Sequence, residues 1–229
     1  MLSESLSRGP VVFLLDVDNT LLDNDRFGAD LGNRLECSFG PSERERYWQI
    51  FSNRREQLGF ADYLGSLQLF RTGHDDDSQL LALGEYMLEY PFAELAYPQA
   101  FETIAHLQTF GRPVVLSDGD VVFQPRKIKN SGIWNALDGH VMIYLHKERV
   151  LDHVQQRYPA AHYVMVDDKP NLLAAMKSVL GNKLTTVFVR QGHYALAGQS
   201  NRQSPPPDRM IERIGDLLTL NLSDFQVQQ

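Results

Sequence analysis

The chain has 229 residues, of which 43% are hydrophobic and 22% charged, a balance typical of a globular protein rather than a disordered one. Its net charge of −7 argues against non-specific binding to nucleic acid or to an anionic membrane surface. The single cysteine, Cys37, excludes an internal disulfide, and the first ten residues lack the pattern of a signal peptide, so we expect a cytoplasmic protein.

The first apolar run covers residues 10–16 and ends in Asp16, and a second acidic residue follows at Asp18. Its hydrophobicity is continuous rather than alternating, which indicates a strand covered on both faces of a parallel sheet. From residue 23 to residue 96 there is no convincing strand pattern, and apolar residues recur at helical spacing instead. We therefore predict that residues 23–96 form a helical domain inserted after the first strand.

Four more apolar runs follow this insert, and they end at Asp118, Lys147, Asp168 and Arg190. Helical patterns alternate with them over residues 99–111, 148–158 and 170–181. Strand and helix in alternation predict a doubly wound α/β fold around a parallel, Rossmann-like sheet. We assign residues 1–22 and 97–229 to this core domain, and we predict a last amphipathic helix over residues 209–220.

Polar side chains stand where these runs end. They are Asp16, Asp18, Ser117, Lys147, Asp167 and Asp168. Because ligands bind at the carboxyl edge of an open α/β sheet, the six are expected to converge there. Carboxylates suit Mg²⁺, a hydroxyl and an ammonium suit phosphoryl oxygens, and the set therefore predicts a site for a divalent cation and a phosphate. Taken singly, each residue also fits a strand-end turn, a helix N-cap or a solvated lysine.

Four segments in this order resemble the motifs of the haloacid dehalogenase-like (HAD) hydrolase superfamily. DVDNTLL resembles motif I, which reads DxDx(T/V), and VVLSDG resembles motif II. The lysine of LHKERV is placed like motif III, and VMVDDKPNLLAA resembles motif IV. The helical segment after motif I is similar to a type C1 cap. Any single motif would be weak, but the combination is specific.

The resemblance implies a catalytic role for four residues. Asp16 would be the nucleophile that forms an aspartyl-phosphate, and Asp18 would protonate the leaving oxygen and then activate water. Ser117 would bind the phosphoryl group, and Lys147 would stabilise both that group and the nucleophile.

The resemblance also implies a Mg²⁺ site. The ion would be held by the carboxylates of Asp16 and Asp168 and by the backbone carbonyl of Asp18. Asp167, which stands where motif IV often has a glycine, would support the metal shell through water.

The second acid of motif I, Asp18, bears on the type of reaction, because the dehalogenase branch of the superfamily lacks it. Its presence favours phosphoryl transfer, and we expect a Mg²⁺-dependent phosphatase acting on a small phosphorylated metabolite. Two alternatives stay open at this point. One is a phosphomutase or phosphotransferase with the same intermediate, and the other is a non-catalytic phospho-acceptor or binding protein.

Overall fold

The computed structural model describes residues 11–74, 78–193 and 205–225. Six strands form one sheet: β1 Val11–Leu15, β2 Arg112–Asp118, β3 Val141–Tyr144, β4 His162–Asp167, β5 Leu184–Val189 and β6 Arg209–Ile211. They lie in the order β3–β2–β1–β4–β5–β6, and every neighbouring pair is parallel. This is the strand order of a Rossmann-like sheet. Successive strands are added on one side of β1 up to β3 and on its other side from β4 onward, so the order reverses between β1 and β4.

Helices connect these strands. The α-helices within the described ranges are α1 Asn24–Phe39, α2 Pro41–Leu58, α3 Tyr63–Phe70, α4 Ser78–Glu89, α5 Ala100–Gln108, α6 Phe123–Asn130, α7 Ile133–Ala136, α8 Leu151–Arg157 and α9 Pro170–Leu180. None of them is both long and apolar enough to span a membrane. The predicted doubly wound α/β class is thus confirmed.

Both faces of the sheet are covered, which explains the continuous hydrophobicity of the runs. All five residues of β1 are buried. Phe13 and Leu15 face a core shared with α5, α6 and the helices that follow β1, whereas Val12 and Leu14 face a core shared with α8 and α9. Because β1 is packed on both faces, the residues that follow its carboxyl end are held in a fixed position at that edge of the sheet.

The segment between β1 and α5 contains α1–α4 and a 3₁₀ turn over Phe92–Leu95, and no strand lies in its described part. Its two connections to the rest of the chain lie side by side. Leu22 pairs with Ala96 in an antiparallel bridge, and the Asp23 N–H donates to the Leu95 carbonyl at 2.8 Å. The division into domains at residues 22–23 and 96–97 stays a prediction, and this paired crossing is where a hinge would lie.

The helix predicted over residues 209–220 is wrong. Residues 209–211 form β6, which pairs with β5, and a 3₁₀ helix follows over Ile214–Thr219. The Asp216 carboxylate accepts the N–H groups of Glu212 and Arg213, so it begins a new turn inside the predicted helix. Pairing at the edge of the sheet satisfies the backbone of residues 209–211 in place of helical hydrogen bonds.

Candidate active site

The carboxyl end of β1 turns sharply and presents two acidic residues. The Asp16 N–H continues the parallel ladder by donating to the Val166 carbonyl at 3.0 Å. The N–H groups of Leu21 and Leu22 then both donate to the Val17 carbonyl at 2.9 Å, which closes the turn. As a result Asp16 is buried, whereas the Asp18 side chain keeps 20% of its surface exposed and lines a cavity.

Three buried carboxylates meet at the point where the sheet order reverses. Asp16 follows β1, and Asp167 and Asp168 come from the end of β4. One oxygen from each lies within 4.8 Å of the others. The Asp16 Oδ2 atom and both carboxylate oxygens of Asp168 accept no hydrogen bond from the described residues.

Burying an ionised carboxylate without hydrogen-bond partners costs free energy, and this cost raises the pKa of the carboxyl group. Burial, reinforced by the neighbouring Asp167, raises the pKa of the Asp168 carboxyl to about 9. A divalent cation among the three carboxylates would favour their ionised forms and give the unpartnered oxygens a ligand. An all-oxygen donor set of this kind suits a hard cation such as Mg²⁺, so the residues present fit the predicted ion.

One lysine, Lys147, forms direct ion pairs with two of these carboxylates. Lys147, in a 3₁₀ turn after β3, is fully buried, and its Nζ is 2.5 Å from Asp16 Oδ1 and 2.6 Å from Asp167 Oδ2. Burial opposes its charge, but the neighbouring carboxylates outweigh burial and raise the pKa of the ammonium. The Lys147 N–H also donates to Asp118 Oδ1 at 2.8 Å, which fixes the turn that carries it.

Asp167, which was expected to support a metal through water, contacts two lysine residues instead. Besides the ion pair with Lys147, its Oδ1 accepts the Lys169 N–H at 2.8 Å. Both oxygens therefore already contact the protein. Its role stays a prediction, but these contacts favour a role in balancing Lys147 over one in holding water around a metal.

The hydroxyl of Ser117, at the carboxyl end of β2, is tied to Asp18 through a helix that the sequence did not indicate. Ser117 is buried, and its Oγ accepts from Gln124 Nε2 at 2.9 Å. The same amide group lies 3.3 Å from Asp18 Oδ2. Gln124 is in the first turn of α6, so this helix links motif I to motif II.

Lys127, one turn further along α6, is a site residue that sequence reasoning missed. Its Nζ lies 2.5 Å from Asp18 Oδ1 and 3.1 Å from Asn24 Oδ1, and its side chain is 1% exposed. Gln124 and Lys127 share the buried face of α6 with Phe123 and Ile128. Polar residues at helical spacing on an otherwise apolar face could have indicated these two site residues. No helix is predicted from the sequence over residues 123–130, so this pattern is not used there.

A cavity of about 910 Å³ lies between the helices after β1 and the carboxyl edge of the sheet. Its lining combines aromatic, basic and acidic side chains: Trp48, Phe51, Phe60 and Tyr63; Arg55, Arg149 and Lys169; and Asp18 and Asp168. A volume of this order is usual for small-molecule sites. Of the six predicted residues, Asp18 and Asp168 line this cavity, opposite an apolar wall formed by the helices after β1.

The chain resembles several solved structures. No family model matches the chain, and no curated protein does. Among solved structures, a protein from Burkholderia xenovorans described as a haloacid dehalogenase-like hydrolase is 52% identical. The match covers 93% of this chain and 99% of that one, with a TM-score of 0.88.

More distant solved structures share the fold. The HAD-hydrolase YfnB from Bacillus subtilis, bound to magnesium, is 16% identical over 93% of this chain and 100% of its own, with a TM-score of 0.64. L-2-haloacid dehalogenase from Xanthobacter autotrophicus, with chloropropionic acid covalently bound, is 17% identical over 91% and 96%, with a TM-score of 0.59. At these identities the likeness concerns the fold alone.

Proposed function

Because the chain belongs to the haloacid dehalogenase-like hydrolase superfamily, we propose that it is a Mg²⁺-dependent phosphatase that hydrolyses a small phosphomonoester through an aspartyl-phosphate. The observation that carries the proposal is the position of Asp18. Its partly exposed carboxylate lines the cavity two residues after the buried Asp16. A second acid at this place gives the site a proton donor for a leaving alcohol, which the dehalogenase branch lacks.

The nucleophile in this proposal is Asp16. Lys147 binds its Oδ1 at 2.5 Å, and its Oδ2 has no hydrogen-bond partner. A carboxylate oxygen of Asp16 attacks phosphorus, the bond from phosphorus to the ester oxygen breaks, and the leaving oxygen takes a proton from Asp18. Ser117 and Lys147 stabilise the oxygens of the transferring group.

In the second half of the reaction Asp18, now ionised, takes a proton from water. The resulting hydroxide attacks phosphorus, and inorganic phosphate leaves with Asp16 restored as a carboxylate. Mg²⁺, held by Asp16, Asp168 and the Asp18 carbonyl, would neutralise the charge that builds up between phosphate and carboxylates. The helices after β1 would exclude bulk water and select the leaving group, which we propose to be part of a small phosphorylated metabolite.

The test is phosphate release from a panel of sugar phosphates, nucleotides and simple alkyl phosphates, with the metal-stripped protein and added Mg²⁺. We expect Mg²⁺-dependent release from at least one ester, and loss of at least about 100-fold in Asp16→Asn. Asp152→Asn, an exposed aspartate on α8, is the matched control and should retain full activity. Equal rates in Asp16→Asn and the control would remove Asp16 as the nucleophile.

The alternatives predict different products. A haloacid dehalogenase would release chloride from 2-chloropropionate and no phosphate from any ester. A phosphomutase or phosphotransferase would form the aspartyl-phosphate but pass it to an added alcohol faster than to water. A non-catalytic phospho-acceptor would keep the phosphoryl group on Asp16 and would not release phosphate in repeated turnovers.

A further inference from the structure

We propose that Lys127 is a positioning residue that holds the Asp18 carboxyl group in the orientation needed to transfer its proton to the leaving oxygen. The inference rests on the proposed phosphatase function and deepens it. No motif of the superfamily described above includes Lys127.

The geometry around Lys127 limits what it can do. Its ammonium is almost completely buried, and Asp18 is the only carboxylate paired with it in the described residues. Its other polar partner is Asn24 Oδ1 at 3.1 Å, and the Phe123 ring centroid lies 5.4 Å from Nζ. A buried ammonium is stable only when a carboxylate is paired with it. Lys127 and Asp18 therefore hold each other in place.

The same helix fixes both oxygens of Asp18. Lys127 binds Oδ1 at 2.5 Å, and the amide of Gln124 lies 3.3 Å from Oδ2. Two donors one helical turn apart therefore set the rotation of the carboxylate plane. Proton transfer depends on such orientation, and a displacement of about 1 Å can cost about 100-fold in rate.

Lys127 also connects Asp18 to the insert. Asn24, at the start of α1, accepts from Lys127 through Oδ1 and donates through Nδ2 to the Tyr63 hydroxyl at 3.1 Å. A continuous path of hydrogen bonds thus runs from Tyr63 on α3 to Asp18. The orientation of Asp18 consequently depends on the insert lying where it does in this structure.

The experiment compares two esters that differ in their need for a proton. An alkyl phosphate such as β-glycerophosphate has a basic leaving oxygen that must be protonated, whereas p-nitrophenolate leaves readily without a proton. For Lys127→Met we expect kcat to fall by at least about 30-fold with the alkyl ester and by less than about 3-fold with p-nitrophenyl phosphate. Lys129→Met, an exposed lysine on the same helix, is the control and should leave both rates unchanged.

A double substitution separates action through Asp18 from a general loss of structure. In an Asp18→Asn background, adding Lys127→Met should lower the alkyl-ester rate by less than about 2-fold, since the group it positions is gone. If Lys127→Met does not fold, as judged by circular dichroism, Lys127→Gln replaces it in the same comparison. Equal losses with both esters, or no loss with either, would overturn the positioning role. No phosphate release by wild type from any ester of the wider panel would instead remove the phosphatase function and this inference with it.

Discussion

The Lys147 ammonium lies 2.5 Å from Asp16 Oδ1, although the two residues are 131 positions apart in the chain. The parallel order β3–β2–β1 brings the two strand ends to the same edge, and the turn after β3 carries Lys147 past β2. The same ammonium contacts Asp167. Lys147 is therefore paired directly with two of the three buried carboxylates, and the nearby Lys169 ammonium also interacts electrostatically with all three.

Removing the Lys147 ammonium should destabilise the metal-free protein strongly. Lys147→Met removes the ammonium in direct contact with Asp16 and Asp167, and breaking a buried pair in this way typically costs about 3–5 kcal/mol in the free energy of unfolding. Urea unfolding at pH 7 measures the loss. Lys183→Met, an exposed lysine, should change stability by less than about 0.5 kcal/mol. A Lys147→Met variant as stable as this control would mean that the carboxylates are protonated or solvated.

The stability of the metal-free protein should fall with rising pH because of Asp168. The pKa of this carboxyl is raised to about 9 in the folded state, chiefly by burial, against about 4 in the unfolded chain. Its contribution to stability is therefore present below about pH 4 and is lost as pH rises through the folded value. Melting temperatures between pH 5 and pH 9, measured in EDTA, should fall more steeply for wild type than for Asp168→Asn. Parallel curves for the two proteins would show that Asp168 does not retain its proton.

Added Mg²⁺ should reverse this trend. Cation and proton compete for the same carboxylates, so the increase in melting temperature on adding Mg²⁺ should be larger at pH 8 than at pH 5.5. At a concentration 100 times the dissociation constant the stabilisation is about 2.7 kcal/mol. Asp168→Asn should lose most of the increase, and Asp152→Asn should keep it. An equal increase in all three proteins would place the bound ion elsewhere.

The site residues that the sequence could predict are those at the ends of strands. Asp16, Ser117 and Asp168 each follow a run of apolar residues, and the rule that parallel strands end at one edge was enough to bring them together. Lys127 depends on tertiary packing instead, because only the position of α6 against the turn after β1 shows that its ammonium meets Asp18. The strand Arg209–Ile211 was missed for a similar reason: three residues carry no periodic pattern, and their strand conformation comes from pairing with β5.

Asn19, in the turn after motif I, should be important for both stability and catalysis. It is buried in the left-handed conformation, with φ of 60°. Its Oδ1 accepts the N–H groups of Asn24 and Asp25 at 3.0 and 3.2 Å, which satisfies the first turn of α1. Asn19→Gly keeps the backbone conformation but loses these bonds, so we expect a loss of about 1–2 kcal/mol in the free energy of unfolding.

Asn19→Ala loses the same hydrogen bonds and must also place a Cβ at positive φ, which adds about 1 kcal/mol. Urea unfolding of the two variants separates the side-chain effect from the backbone effect. Since Asn24 begins α1 and binds Lys127, both variants should also slow hydrolysis of an alkyl phosphate more than that of p-nitrophenyl phosphate. A glycine variant with wild-type stability and wild-type rates would show that the turn holds its shape, and α1 its place, without the Asn19 side chain.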